Sequence, residues 1–159
     1  MRILGIDPGS HVTGWGVIDK TGNYIRHVAF GEIKPAKGLS LSEALVCFSE
    51  SLTEVIRQFE PGMAVVENIF YGKNVRSLIR QAQVRGVVIL ACCARHVPVV
   101  EYAPLEIKKA VVGYGRAEKR QVQAMIKAIL KLPQAPPADA ADALAAAVCH
   151  ANFQKEQRL

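Results

Sequence analysis

The sequence predicts an α/β protein built on a mixed five-stranded sheet that is flanked by helices. Three strand-like segments come first, and strand-like and helical segments then alternate along the rest of the chain. The 159 residues are 50% hydrophobic, which is enough apolar material for the core of one domain. We therefore expect a single domain over residues 1–153 and a short tail over residues 154–159.

The first three predicted strands form an antiparallel meander. Runs of apolar and β-branched residues indicate strands over Arg2–Asp7, Thr13–Asp19 and Tyr24–Ile33. The turn segment Lys20–Asn23 joins the second strand to the third. The short connection favours antiparallel pairing of these two strands.

Capping signals and helical spacing predict the elements that follow. Ser40 and Glu43 match a capping box at the start of an amphipathic helix, which Pro61 and Gly62 end. Asn74 can cap a second, longer helix. The remaining predicted elements are strands Met63–Glu67 and Val97–Tyr102 and helices from Val75 to about Arg95, at Pro104, over Ala117–Lys131 and over Ala138–Asn152.

Four carboxylates fall where predicted strands end or where the last helix begins. Asp7 and Glu67 each end a short apolar strand, and Asp139 and Asp142 open the final Ala-rich helix. A carboxylate at the end of a buried strand is costly to desolvate, whereas a group of carboxylates is tolerable when cations neutralise it. Because Asp139 and Asp142 are three residues apart, a helix places both on one face. Oxygen-only ligands favour Mg²⁺, with Mn²⁺ able to substitute, and allow two ions.

Each carboxylate also has a purely structural explanation. Asp7 would serve as a turn residue, and Asp139 would cap the last helix. That explanation is weaker for Asp142, which lies within a helix of Ala, Leu and Val, and for Glu67, which follows a short apolar run. Four such coincidences together favour a metal site.

The charge distribution favours a polyanionic partner. The chain has 20 Lys and Arg against 14 Asp and Glu, which gives a net charge of +6. Basic residues follow the strand that ends at Glu67 and cluster again before the last two helices. A basic surface beside an acidic pocket suits phosphodiester chemistry.

No segment has the pattern of a membrane span or a secretion signal. The longest apolar stretch, Gly86–Ala94, is too short to cross a bilayer, and a single Arg precedes the first strand. We therefore expect a cytoplasmic protein that has no membrane partner.

Five motifs carry a resemblance to a known family. The strand–Asp–x–Gly–Ser turn near the start, followed by a Gly-containing strand, is shared by the ribonuclease-H-like superfamily. With three further motifs in family order, the chain resembles RuvC, the family of bacterial Holliday junction endonucleases, from about Arg2 to about His150. The motifs are Gly5–Ser10, Thr13–Gly16, Glu67–Phe70, Val111–Lys119 and Asp139–Ala145.

The resemblance implies a ribonuclease-H-like fold and metal-dependent hydrolysis of DNA at four-way junctions. Paired, symmetric cuts would leave 5′-phosphate and 3′-hydroxyl ends during recombination and repair. The implied catalytic residues are Asp7, Glu67, Asp139 and Asp142, which hold the metal, together with Lys108 and Lys119 beside the scissile phosphate.

The resemblance also implies a DNA-contacting surface. The aromatic ring of Phe70 would stack on an opened base, and Lys73 and Arg76 would contact nearby phosphates. Core packing is the alternative for Phe70, and ordinary solvent exposure is the alternative for the two lysines of the site. The implied DNA-binding residues are Phe70, Tyr71, Lys73, Arg76, Lys108, Lys119 and Arg120.

The two-fold symmetry of a four-way junction bears on oligomeric state. Symmetric cutting needs two opposed sites, and a C2 homodimer provides them. The apolar segment Val84–Ala94 is the candidate dimer core, with burial inside the monomer as the competing explanation. The family resemblance further implies cooperation with the RuvA–RuvB branch-migration complex.

Other function classes are compatible with parts of the sequence. A nucleotide-binding fragment of the actin and Hsp70 kind begins with the same Asp turn, but those proteins use two copies of the fold, and only one such turn occurs here. A junction-binding module without catalysis would not need the four acidic residues. YqgF-like nucleases also begin similarly, and the Asp139-x-x-Asp142 pair with the long basic helix favours RuvC.

Overall fold

The computed structural model describes residues 1–69 and 74–156, with side chains described up to residue 153. In chain order, the elements are β1 (Arg2–Asp7), β2 (Thr13–Thr21), β3 (Tyr24–Ile33), α1 (Leu41–Phe59), β4 (Met63–Glu67), α2 (Val75–Cys93), β5 (Val99–Tyr102), α3 (Pro104–Val112), α4 (Lys119–Ile129) and α5 (Ala138–Glu156). In this part of the chain, no helix combines the length and apolar character that crossing a membrane requires.

The strands form one mixed sheet in the order β3-β2-β1-β4-β5. β1 pairs with β2 and β2 pairs with β3 in the antiparallel sense, as the predicted meander requires. β4 pairs in parallel with the other side of β1, and β5 extends the sheet in parallel with β4. The predicted five-stranded mixed sheet is therefore confirmed, and β1 and β4 end at the same edge.

Helix caps occur where the sequence predicts them. The Ser40 backbone N–H donates to the Glu43 carboxylate over 2.7 Å, and the Glu43 N–H donates to Ser40 Oγ over 3.3 Å. The Ser77 N–H donates to Asn74 Oδ1 over 3.2 Å. These bonds satisfy backbone donors that have no partner within the first turn, so they fix where α1 and α2 begin.

Some predicted boundaries are wrong by a few residues. β5 begins at Val99 because the Val97 N–H donates to the Cys92 carbonyl and completes the end of α2. α5 continues past Asn152 to Glu156, so the predicted tail over residues 154–159 begins inside a helix. The division into a domain and a tail stays a prediction. α4 spans Lys119–Ile129, a shorter range than the predicted Ala117–Lys131.

The two faces of the sheet bury different kinds of side chains. On one face, Leu4 and Ile6 of β1 pack with the large side chains of α1 and α2, including Phe48 and Leu52. On the other face, Ile3 packs with a cluster drawn from α3, α4 and α5. Because side chains alternate along a strand, Gly5 and Asp7 share the face of Ile3.

Glycines on β1 and β2 allow α5 to lie directly on the sheet. A Cβ atom at Gly5 would stand 1.9 Å from the Ala143 carbonyl oxygen, and one at Gly14 would stand 2.0 Å from the Asp139 carbonyl oxygen. Neither separation is possible between real atoms, so only glycine fits. Ala143 and Ala147 of α5 face Gly5, and Ala140 lies beside Gly14. All three of these alanines are fully buried.

The helix α2 is buried on one side only. Val84, Val88 and Ala91 lie in the core with α1 and are at most 5% exposed. Leu90 is 67% exposed and Ile79 is 55% exposed on the rest of the helix. Burial inside the monomer therefore accounts for one side of the predicted apolar segment, and dimerisation through the other side stays a prediction.

Candidate active site and metal centre

Four acidic side chains and two lysines line one cavity of about 320 Å³ at the edge where β1 and β4 end. Asp7 is the last residue of β1, and Glu67 is the last residue of β4. Because these strands are parallel neighbours, both side chains reach the same edge. Asp139 and Asp142 lie near the start of α5, which packs across β1 and β2. The cavity is lined by Asp7, Gly9, Glu67, Gln81, Pro104, Ile107, Lys108, Lys119, Val122, Asp139 and Asp142.

The loop that follows Asp7 is tightly folded beside this cavity. The buried hydroxyl of Thr13 donates to the Gly9 carbonyl over 3.3 Å. A Cβ atom at Gly9 would stand 2.1 Å from the Val12 carbonyl oxygen, so the turn requires glycine there. Gly9 therefore lines the cavity with its backbone alone and has no side chain that would obstruct it.

Burial and mutual repulsion raise the pKa of three of the carboxyl groups. Burial raises the pKa of Asp7 well above its usual range, and the nearby Glu67 adds to the shift through its charge and a shared hydrogen bond. Burial also raises the pKa of Glu67, with the charge of Asp142 adding and the bond to Asp7 opposing. Burial, followed by the charge of Asp7, raises the pKa of Asp142 to about 6.

The two lysines only partly neutralise this cluster. Lys119 Nζ lies 3.8 Å from Asp142 Oδ2. Lys108 and Lys119 both lower the pKa of Glu67 and of Asp142, yet both of those pKa values stay above their ordinary values. Ionising all the carboxyl groups together is therefore unfavourable unless further positive charge enters the cavity.

The donor set fits an open divalent-metal site. All four acidic groups offer carboxylate oxygens, which are preferred ligands of Mg²⁺ and Mn²⁺. Among the side chains of residues 1–69 and 74–153, no three of His, Cys, Asp or Glu stand close enough to enclose an ion by themselves. Mg²⁺ keeps several waters and commonly takes one or two carboxylates together with substrate phosphate. The carboxylates therefore suit an open site, in which a bound phosphodiester completes the coordination of the ions. They do not form a closed cage of protein ligands.

The remaining predicted DNA-binding residues lie outside this cavity or outside the described residues. Arg76 is exposed in the first turn of α2, and Arg120 is exposed in the first turn of α4, next to Lys119. The predictions for Phe70, Tyr71 and Lys73 fall on residues that the structure does not describe.

Gln81 lines the cavity, and sequence reasoning missed it. It lies on α2 three residues before the buried Val84 and seven before the buried Val88. That spacing places Gln81 on the inward side of the helix, where an apolar residue is expected. A polar residue at a core-facing helical position was therefore the signal that could have identified it.

The fold and the cavity together define a class of protein. A mixed five-stranded α/β sheet carries acidic groups at the ends of two adjacent parallel strands and on the last helix, with lysines beside them. This combination is that of a ribonuclease-H-like nuclease.

Comparison with known proteins gives the family. The sequence profile of the family described as crossover junction endodeoxyribonuclease RuvC matches residues 3–150. The RuvC protein of Geotalea uraniireducens is 49% identical over 152 residues, which cover 96% of this chain and 89% of that protein. The RuvC protein of Pelotomaculum thermopropionicum is 44% identical over 159 residues, which cover 99% of this chain and 97% of that protein. The chain belongs to the RuvC family of crossover junction endodeoxyribonucleases.

Solved structures agree with this membership. RuvC of T. thermophilus in complex with a Holliday junction substrate is 31% identical with a TM-score of 0.91, covering 99% of this chain and 96% of that one. The yeast mitochondrial Holliday junction resolvase Ydc2, at 11% identity and a TM-score of 0.72, shares the fold. The predicted ribonuclease-H-like fold and RuvC resemblance are confirmed. RuvC nucleases are metal-dependent, in agreement with the carboxylate cavity.

Proposed function

We propose that this chain resolves four-way DNA junctions during recombination and repair by paired, symmetric hydrolysis of phosphodiester bonds. The cuts would leave 5′-phosphate and 3′-hydroxyl ends. The observation that carries the proposal is the single cavity lined by four carboxylates and two lysines, in a chain that belongs to the RuvC family.

Asp7, Glu67, Asp139 and Asp142 would hold the metal ions of this reaction. We infer Mg²⁺ as the ion, with Mn²⁺ able to substitute and two ions in each subunit. The oxygen-only donor set and the raised pKa values of Asp7, Glu67 and Asp142 support this assignment, because bound cations would offset the repulsion among the ionised groups. When bound, such ions activate the attacking water and stabilise the leaving oxygen.

Lys108 and Lys119 would contact the scissile phosphate. Each lines the acidic cavity, and the side chain of Lys119 is 68% exposed, so its ammonium group is accessible to DNA. An ammonium group there would offset charge that develops on the phosphate oxygens in the transition state. Gln81 presents the one uncharged polar side chain among the described lining residues and would donate hydrogen bonds to the same phosphate.

A wider surface would bind the arms of the junction. Arg76 and Arg120 are exposed at the starts of two helices and would contact phosphates on either side of the cavity. By family resemblance, Phe70 would stack on an opened base, and Tyr71 and Lys73 would bind DNA beside it.

Symmetric cutting would require a homodimer. The exposed apolar residues Ile79 and Leu90 of α2 support this helix as the interface. Cooperation with the RuvA–RuvB complex and a cytoplasmic location follow from family resemblance and have no assigned residues.

A cleavage assay with three DNA substrates tests the proposal. The protein is incubated with a synthetic four-way junction, a linear duplex and a single strand, each with Mg²⁺ or with a chelator. We expect paired nicks that a ligase can seal, in the junction alone and only with Mg²⁺. Equal cutting of all three substrates would contradict the proposed selectivity.

The Asp7→Asn variant separates catalysis from folding. It should bind the junction as tightly as the wild type in Ca²⁺ but should not cut it in Mg²⁺. Loss of both binding and cutting would show instead that Asp7 is needed for folding.

A further inference from the structure

A second cavity, of about 480 Å³, lies beside the acidic one. It is formed where the loop after β1, the connection from β3 to α1 and the first turns of α2 meet. Its lining residues are Ser10, His11, Val12, Lys34, Pro35, Ala36, Lys37, Gly38, Leu39, Ser40, Leu41, Ala44 and Arg80. We call this cavity the basic cleft.

The basic cleft and the acidic cavity have lining residues that are direct neighbours in the chain at two places. Gly9 lines the acidic cavity and the next residue, Ser10, lines the basic cleft. Gln81 lines the acidic cavity and the preceding residue, Arg80, lines the basic cleft. Because consecutive Cα atoms are about 3.8 Å apart, the two linings adjoin at both places.

The charge of the basic cleft is opposite to that of the acidic cavity. Lys34, Lys37 and Arg80 line it, and none of its described lining residues is acidic. Lys34 forms an ion pair with Glu32 at 2.5 Å. Within residues 1–69 and 74–153, no ion pair engages Lys37 or Arg80, so two full positive charges face the cleft without a carboxylate partner.

A carboxylate near the cleft, that of Glu43, is bonded within the cap of α1. The Glu43 carboxylate accepts hydrogen bonds from the Ser40 backbone N–H and from Ser40 Oγ, each over 2.7 Å. This bonding lowers the pKa of Glu43 and holds its carboxylate at the N-terminal cap of α1. Among the described residues, Glu43 is not part of the cleft lining and forms no ion pair with Lys37 or Arg80, so both cations stay available to an anion.

The cleft also has apolar walls. Val12, Pro35 and Leu41 line it together with the exposed side chain of Leu39, which is 41% exposed. A free inorganic anion would gain nothing from such walls. A nucleotide of a DNA strand would place its phosphate against the cations and its sugar against the apolar side chains.

We propose that the basic cleft binds the DNA strand that continues from the scissile phosphate, with Lys37 and Arg80 contacting one or two phosphates of its backbone. The cleft would hold the strand on one side of the cut and so fix which phosphate reaches the four carboxylates. Lys37 and Arg80 are thus positioning residues and take no part in the chemical step. This assignment rests on the proposed cutting of junction DNA.

A charge-matched pair of double variants tests the cleft. Lys37→Ala/Arg80→Ala removes the two free cations, and Lys127→Ala/Arg95→Ala removes two exposed cations that line neither cavity. Junction binding is measured across a range of salt concentrations in Ca²⁺, after melting curves establish that each variant is folded. The cleft variant should bind roughly tenfold more weakly near 0.1 M salt, and the slope of log K against log salt should fall by about two. The control variant should bind as the wild type does.

A phosphate-neutralisation scan then locates the contact. Junctions carry a single uncharged methylphosphonate at each successive position within a few nucleotides of the cut. At one or two positions, the methylphosphonate should weaken cutting by the wild type and have no further effect on the cleft variant. Lys37→Arg/Arg80→Lys, which keeps both charges, should restore the wild-type pattern.

Two results would overturn the proposal without touching the cutting activity. One is a cleft variant that binds and cuts junctions as the wild type does. The other is a methylphosphonate penalty that is the same in wild type and cleft variant at every position. A wild-type protein that fails to cut junctions at all would instead overturn the proposed function.

Discussion

The two faces of the sheet are covered by helices in different ways. On the face of α1 and α2, large side chains such as Phe48 and Leu52 separate the helices from the strands. On the face of α5, the helix backbone approaches the strands at Gly5 and Gly14 so closely that no Cβ atom fits. The first face can adjust to small changes through its side chains, whereas at Gly5 and Gly14 the second face brings backbone against backbone, with no side chain between them that can move aside.

This difference bears on the acidic cavity. Asp7 and Gly14 are register partners in β1 and β2, and Gly14 contacts the backbone of Asp139. The contact that excludes a Cβ atom therefore lies beside the carboxylates that it brings together. The face with the least freedom to adjust is the one that sets the distances within the proposed metal centre.

Substitution of adjacent residues on β1 tests the contrast most strongly. Gly5→Ala should destabilise the protein by at least about 3 kcal/mol, because its new methyl group meets the Ala143 backbone. Ile6→Val, which faces α1 and α2, should cost about 1 kcal/mol. Denaturant unfolding measures both free energies. Equal costs for the two substitutions would show that the faces tolerate change equally well.

Asp142→Asn should separate stability from activity. The pKa of Asp142 is about 6 in the folded protein, so at pH 8 the fold has to hold an ionised carboxylate in an unfavourable place when no metal is bound. The uncharged side chain of Asp142→Asn removes this cost and should raise the free energy of unfolding by about 2 to 3 kcal/mol. If Asp142 is a ligand of the proposed metal centre, cleavage in Mg²⁺ should fall at least about 1000-fold. A variant that is less stable than the wild type would indicate a structural role for Asp142.

The pH dependence of stability should report the same group. A carboxyl group whose pKa is raised by folding keeps its proton longer in the folded state, so its contribution to stability is lost as pH rises through about 6. The lowered pKa values of His27 and His150 act in the opposite direction, since their folded forms release protons more readily. The informative quantity is therefore the difference between wild type and Asp142→Asn.

Melting temperatures of the two proteins from pH 5 to 8.5 measure this difference. With chelator, the wild type should lose stability relative to Asp142→Asn as pH rises. With Mg²⁺, the loss should be smaller, because an ion in the proposed metal centre would stabilise the ionised wild-type site. Parallel curves at every pH in chelator would contradict the raised pKa of Asp142.

Lys119→Gln should have the smallest of these effects. Lys119 lowers the pKa of Asp142, so its removal should shift the acidic limb of the cleavage pH profile upward. Cutting at the optimal pH should fall about 10- to 100-fold. Lys127→Gln, on the same helix but outside the cavity, serves as the control. An unchanged pH profile would show that Lys119 is an ordinary solvent-exposed lysine with no role in the site.

Much of the fold could be predicted because its signals are local. The capping pair Ser40 and Glu43 and the alternation of apolar residues depend only on neighbours in the chain. The four carboxylates were predictable for a similar reason, since Asp7 and Glu67 end strands and Asp139 and Asp142 lie in the first turns of the last helix. The cap and turn explanations for Asp7 and Asp139 do not account for all four lining one cavity.

Other features depend on distant residues and were not predictable in detail. Taken individually, Gly5 and Gly14 are ordinary glycines within strands, and the Ala-rich pattern of α5 indicates an ordinary core helix. Only the fold shows that they are two sides of one backbone contact. The start of β5 was misplaced because Val97 completes the end of α2 through a hydrogen bond that apolar periodicity does not reveal. Gln81 is not predicted because it lies within α2, whereas Asp7 and Glu67 stand at the ends of strands.

Mn²⁺ binding by Gly14→Ala tests most directly whether the contact of α5 with the sheet sets the metal centre. The new methyl group would displace the start of α5 from β2 without removing any carboxylate. At a temperature where the variant is folded, we predict at least tenfold weaker Mn²⁺ binding than in the wild type, and junction cutting slower by about 100-fold. If folded Gly14→Ala binds Mn²⁺ and cuts junctions as the wild type does, the contact of α5 with the sheet does not set the metal centre.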